Sequence, residues 1–201
     1  MNVRVALDAG RFSRIHIGRE APLWWGIAGL IVIESAVFAS FIVSYVYLKV
    51  QNAPWPPAGV SVPDVTLPTI NVGLLLGSGV AMAWAGRGIA RGNQRALVVG
   101  IWLAVLGACV VAGLRTLQLR RLDFAWDSHA YGSIVWTMTC LHFGHIVAAV
   151  LGTAVVGVLA WMGYFDRRRR LAVTVDALYW QFVVIVWIPV YLVLYWLPRL
   201  S

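Results

Sequence analysis

Three side chains in this sequence can bind and release protons at positions where no water is expected. Glu34 lies inside LIVIESAVFASFIVSYVYL, residues 30–48, an otherwise apolar run. His142 and His145 lie inside TCLHFGHIVAAVLG, residues 139–152. Spaced i, i+3, the two imidazoles share one face of a helix. A carboxyl and two imidazoles can hold helices together, relay a proton or contribute to a carboxylate metal site. The metal reading needs more ligands than these runs supply. The other histidines, His16 and His129, fall outside or at the edge of the apolar runs. Bis-histidine haem ligation needs histidines on facing helices, and only one run contains them. There is no phosphate-binding loop, no nucleophile with a paired base and no carboxylate dyad. The sequence therefore predicts no catalytic residue, no metal and no cofactor of its own. Glu34, His142 and His145 are read as a buried polar cluster.

The elements that carry these residues follow from composition. Of 201 residues, 61% are hydrophobic and 12% charged, and the mean hydropathy is +0.79. Soluble domains carry about 25% charged residues. Five apolar segments stand out: Trp24–Leu48, Leu67–Ala90, Ala96–Leu119, Tyr131–Tyr164 and Leu171–Leu197. Each exceeds the ~20 residues needed to cross a ~30 Å hydrocarbon core as a helix. Backbone groups in lipid must be satisfied internally, so the segments are expected to be helices. The prediction is an all-α polytopic membrane bundle of five spans. The first run is too long for a signal peptide. Cys109 and Cys140 fall within apolar runs, read as buried thiols with no disulfide framework. Pro189 lies inside the fifth span and should bend it.

Charge sets the expected orientation. The net charge is +8, but the cations lie in short clusters between spans and not in one patch that would suit nucleic acid. Eleven Lys and Arg fall on the side of the N-terminus and five on the other. The positive-inside rule then puts the N-terminus in the cytoplasm and the C-terminus outside. Residues 1–23 form a cytoplasmic segment on this reading, and residues 24–201 the membrane domain. Trp24, Trp25, Trp55, Trp126, Trp161 and Trp196 sit near span ends, as an interfacial belt would.

Glu34 is ten residues into its span, roughly 15 Å along the axis. A central charge costs about 2.5–3.5 kcal/mol on translocon scales. Its helical neighbours are bulky: Leu30, Ile31, Phe38 and Phe41. Ala28, Gly29, Ala36, Ala39 and Ser40 form a small face opposite, suited to close packing. On that pattern Glu34 faces lipid or another subunit, whereas desolvation favours pairing it with His142 or His145. Gly73 and Gly77, and Gly144, Ala148 and Gly152, are further small steps expected at helix contacts. Trp84, Arg87, Trp161 and Arg167, at span ends, are candidates for holding phospholipid.

Ordered motifs add a family resemblance. IESAVFAS at 33–40 is followed by Trp55-Pro56-Pro57, PTIN at 68–71, Ser78-Gly79 and Trp84-Ala85. Then come Tyr131-Gly132-Ser133, HFGH at 142–145, YWQFV at 179–183 and Val186-Trp187. In this order they resemble subunit III of the haem-copper cytochrome c and quinol oxidases, in the five-helix form of many prokaryotes. The resemblance implies a non-catalytic accessory subunit in a prokaryotic cytoplasmic membrane. It would pack on the redox subunit I and on subunit II, which carry haem and copper, bind phospholipids and support proton uptake. Glu34 would be the family's buried carboxylate, and His142 and His145 its paired histidines. The sequence departs from the family pattern at Gln181 and Val184, where His and Asp are usual, and at Arg115 and Gln118, where Gln and Glu are usual. Alternatives are a subunit-III-like protein of nitric oxide reductases and an independent transporter. The transporter lacks support from any inverted repeat.

Overall fold

The structure is a computed structural model that describes residues 21–200. Residues 1–20, most of the expected cytoplasmic segment, lie outside the described residues. Five long helices follow one another: α1 (Pro22–Gln51), α2 (Thr66–Ala90), α3 (Gln94–Arg120), α4 (Ala130–Trp161) and α5 (Leu171–Tyr191). All five are long and apolar enough to cross a membrane. The protein is therefore all-helical among the described residues and multi-pass by length and composition.

Local sequence sets the ends. Pro22 starts α1, where a missing N–H costs nothing. Asn93 caps α3 by accepting from the Ala96 N–H at 3.0 Å. His129 Nδ1 caps α4 by accepting from the Gly132 N–H at 2.8 Å. Gly163, at φ 74°, ends α4 before the expected Tyr164. The fifth span is also not one bent helix. Pro189 removes an N–H from α5, and after Tyr191 the coil widens to a π turn over Leu192–Trp196 and a 3-10 turn over Leu197–Arg199.

The bundle is apolar outside, and its apolar core also encloses the polar residues that are buried. Trp25, Val32, Ile33, Leu106, Leu151, Trp161 and many other large apolar residues are exposed, whereas Asn71, Arg115, Gln118, Thr139, His142 and Thr153 are buried. A water-soluble monomer does not expose that much apolar surface; a lipid-facing bundle does. Cys109 and Cys140 sit on this outer surface, so they are not the buried thiols expected. Trp55 departs from the expected belt the other way. It is buried, edge-on to Tyr45 at 5.6 Å and Tyr131 at 5.1 Å, and plugs the bundle beneath its loop.

α2 and α3 form the most extensive interface, α3 packs on α4, and α5 lies against α2 and α4. α1 is peripheral and packs on α4 and α5. It does so through its bulky face, burying Phe38 and Tyr45, while Ala36, Ala39 and Ser40 are exposed. This reverses the expectation that the small face makes the tight contact. Two aromatic knobs one heptad apart bury more area than a flat stripe of alanines.

The expected glycine steps are likewise displaced. A Cβ added at Gly73, Gly77, Gly144 or Gly152 would meet nothing within 4 Å. Close approach occurs instead at Gly100, where a Cβ would lie 2.8 Å from the Ala81 carbonyl oxygen, and at Gly88, 2.7 Å from Ala96 Cβ. Gly100→Val should therefore destabilise the detergent-solubilised chain by about 1–3 kcal/mol through overpacking. Gly77→Val should leave its thermal unfolding nearly unchanged. Equal losses in the two variants would contradict this packing.

Candidate functional site

The α1–α4 contact brings two of the three sequence-selected residues together. Glu34 Oε2 lies 3.0 Å from His145 Nε2, with side-chain exposures of 26% and 11%. Phe38 and Phe182 stand edge-on to the His145 ring at 5.2 and 6.4 Å. They wall the pair on α1 and α5. The other imidazole nitrogen, Nδ1, lies 2.8 Å from the Leu141 carbonyl oxygen. A carbonyl only accepts, so Nδ1 must carry a hydrogen. Nε2 and Oε2 can then form a hydrogen bond only by sharing one proton. That proton rests on the acid in a neutral pair or on the imidazole in an ion pair. The Leu141 carbonyl thus fixes the tautomer and makes the bridge a one-proton site.

His142 does not join this bridge. It is fully buried, and its Nε2 donates to the Val183 carbonyl oxygen at 3.0 Å. Its ring stacks on Trp187 at 4.4 Å between centroids. The guanidinium carbon of Arg115 lies 3.7 Å from the same Trp187 ring centroid. Arg115 is itself fully buried, and no carboxylate pairs with it among the described residues. Its Nη1 donates to Gln118 Oε1 at 3.2 Å, and Gln118 in turn donates to the Tyr195 hydroxyl. His142 Nδ1 has no hydrogen-bond partner. Protonating it would place two cations against one indole, far from water. His142 is thus built into the core as a neutral packing residue.

The other departures from the family pattern also have neighbours. Gln181 Nε2 donates to the Gly79 carbonyl oxygen at 2.7 Å. A Cβ at Gly79 would meet Gln181 Oε1 and Val184 Cγ2, both at 3.3 Å. These two residues serve the α2–α5 contact.

The four lipid candidates lie toward one end of the bundle, and Trp84, Arg87, Trp161 and Arg167 are all exposed. They do not share a pocket. Arg167 instead donates to the Arg91 carbonyl oxygen and covers Gly92, strapping the α4–α5 connection to the α2–α3 turn. Asp166 accepts from the backbone N–H groups of Arg169 and Arg168 at 2.7 and 2.6 Å. Those two bonds hold its carboxyl below the usual carboxylate range. An open apolar groove, about 490 Å³, runs between α1 and α5 and is lined by Ile31, Ser35, Ile42, Phe182 and Ile185 among others. Among the described residues no cluster of three or more His, Cys, Asp or Glu is placed to hold a metal.

Sequence reasoning missed three buried polar features: Arg115 against Trp187, Asn71 in α2, and Asp176 in α5. Asp176 carried the same signal as Glu34, a lone acid in an apolar span.

Comparison with known proteins is consistent across the chain. A sequence profile described as cytochrome c oxidase subunit III matches residues 14–199. Cytochrome c oxidase subunit 3 of Marchantia polymorpha is 28% identical over 183 residues, covering 88% of this chain and 69% of that protein. The Arabidopsis thaliana protein of the same name gives the same values. That of Myxine glutinosa is 27% identical over 194 residues, covering 93% of this chain and 74% of the relative.

Two outcomes follow from the geometry. Glu34→Leu and His145→Leu should each lower stability by about 1–3 kcal/mol, because each leaves one buried polar partner unpaired. The double variant should lose clearly less than the two effects added, as read by thermal unfolding in a double-mutant cycle. Arg115→Met should be neutral or stabilising by up to about 1–4 kcal/mol, since it removes an unpaired buried cation while keeping its stem. A large loss in that variant would mean that Arg115 has a counter-charge.

Proposed function

The chain belongs to the cytochrome c oxidase subunit III family, and from that premise we propose that it is a non-catalytic accessory subunit of a haem-copper terminal oxidase. In this role it packs on the subunits that carry haem and copper, steadies the redox subunit and supports proton uptake during oxygen reduction. It works in a prokaryotic cytoplasmic membrane, with the N-terminus in the cytoplasm. The Glu34–His145 bridge is the observation that carries the proton reading. It is a one-proton site, partly open, on the peripheral helix and not deep in the bundle. A group that only locked the fold would be better placed in the core, as His142 is.

Lipid binding is the second part of the role. The α1–α5 groove has an apolar lining suited to acyl chains. Trp84, Arg87, Trp161 and Arg167, exposed at the Arg-rich end, suit the head-group zone.

Affinity purification of the tagged chain from its native membrane should recover haem- and copper-bearing subunits together with phospholipid. The tagged chain expressed alone should be colourless. Glu34→Gln, which retains a hydrogen-bonding side chain, should leave the optical spectrum of the complex unchanged. It should accelerate loss of activity during sustained turnover. A Soret band from the isolated chain, or recovery without any haem protein, would refute the accessory-subunit reading.

A further inference from the structure

A second carboxyl group lies in the same part of the bundle and has no role in the reading above. Asp176 is five residues into α5, in a span that contains no other acid. Its Oδ1 accepts from the Thr153 hydroxyl of α4 at 2.9 Å. Its Oδ2 is buried and has no partner. No ion pair reaches it among the described residues. The charged or titratable groups on the elements around it are few. Arg170 caps the start of α5, the Arg167–Arg169 turn precedes it, Arg87 ends α2, and α1 offers Glu34. α4 offers only Thr153 at this level, with His145 two turns away. An ionised carboxylate here would keep one oxygen unsatisfied away from water. A protonated one would keep an idle donor. Either state is awkward as a permanent arrangement and natural for a group that alternates between the two.

The position relative to the bridge gives this meaning. Thr153 lies eight residues beyond His145 on α4, roughly 12 Å along the axis. Tyr179 stands between the two levels, one turn after Asp176 on the same face of α5. Its ring packs on Phe182 at 6.1 Å, and Phe182 in turn touches His145. Beyond the bridge, toward the C-terminal end of α5, the next protonatable side chains on that span are Tyr191 and Tyr195. His142 is neutral by construction, and behind it Arg115 is a fixed buried cation. A fixed positive charge repels an approaching proton.

We propose that the Asp176–Thr153 pair is a second proton-binding station, exchanging protons with the Glu34–His145 bridge along the α4–α5 seam past Tyr179. The inference rests on the proton reading of the bridge. In a transfer, Asp176 gives up the proton on its carboxyl oxygen and becomes a carboxylate. Water beside Tyr179 passes a proton on, and the bridge takes up the one proton shared by Oε2 and Nε2. No electrons move.

Infrared difference spectra of the intact oxidase complex, recorded between two pH values in light and heavy water, test this. The complex should show two titrating carboxyl bands, one lost in Glu34→Gln and one lost in Asp176→Asn. The asparagine is isosteric and still accepts from Thr153. Each substitution should shift the titration midpoint of the band that remains, because the stations are coupled. Labelling the unsubstituted complex with carboxyl-carbon-13 aspartate should move the second band and not the first. If Asp176→Asn does not assemble, Thr153→Val keeps the acid and must shift the label-sensitive band. A titrating Glu34 band with no titrating aspartate band, or with two bands that ignore each other, overturns this inference and leaves the bridge reading intact. Absence of a titrating Glu34 band overturns the bridge reading, and this proposal with it.

Discussion

Hydrocarbon solvates no polar group, and that constraint organises the molecule. A buried polar group is therefore costly unless another helix supplies its partner, and several here, Asn71 and His142 Nδ1 among them, are only partly met or not met at all. The result is a core in which Asn71, Ser78, Arg115, Gln118, Thr139, His142 and Thr153 are set among apolar side chains, under an outer surface that is itself rich in isoleucine, valine and tryptophan. The helices do not associate by expelling apolar surface from water, because lipid tails are equally apolar. Shape and polar pairing must hold them. Close backbone contact at Gly88 and Gly100 joins α2 to α3. Polar ties cross the other seams: Trp180 donates to the Ser78 hydroxyl at 3.2 Å, Gln181 to Gly79, and Thr153 to Asp176. At the end away from the Arg167 strap, Lys49 donates to the Leu197 carbonyl oxygen at 3.0 Å and Arg199 to that of Pro63 at 2.6 Å, fastening the long connection to the final turn.

The same constraint explains why one tryptophan attracts both a neutral imidazole and a guanidinium. Arg115 has no acid to pair with, and an unpaired cation in low dielectric is costly. The negative face of the Trp187 indole offsets part of that cost. Gln118 and Tyr195 add a chain of hydrogen bonds leading away from it. Where the resemblance led to an expectation of Gln and Glu, the chain carries Arg115 and Gln118. It has also supplied an aromatic surface to hold the cation. The changes at Gln181 and Val184 are met by the bare surface of Gly79. Four departures that looked like losses in the sequence are thus accommodated by packing.

How much of this was legible in the sequence depended on which physical signal each feature left. Span number and bounds were legible to within a few residues because hydrocarbon thickness sets a length and apolarity a window. The meeting of Glu34 with a histidine was legible because desolvation makes solitary polar groups expensive. Which histidine was not legible: His142 and His145 share a face, and only the rotation of α4 against α5 sends one to the Val183 carbonyl and the other to α1. Small-residue steps misled, because a glycine permits close approach without requiring it. Gly77 and Gly100 look alike in one dimension, and their surroundings separate them. Trp55 misled for a similar reason. Trp beside a span end usually floats at the interface, but here a proline-rich connection folds it back onto Tyr45 and Tyr131. The orientation of the bundle rests on charge asymmetry alone, since a bundle without its bilayer has no inside.

The peripheral seat of α1 has a consequence for how the chain is made. α1 leaves the ribosome before the four helices that follow it here, yet it packs on α4 and α5. Glu34 and His145 are separated by 111 positions in the chain. At a synthesis rate of about 5–20 residues per second, that separation corresponds to roughly 5–20 s. Throughout this interval the acid sits in a freshly inserted helix with its partner still unmade. The form that crosses at least cost is the protonated acid. Its hydrogen then waits for an imidazole whose other nitrogen is already committed to Leu141 within its own helix. Birth order thus leaves α1 without its α4 and α5 partners, and open to quality control, until both have been inserted.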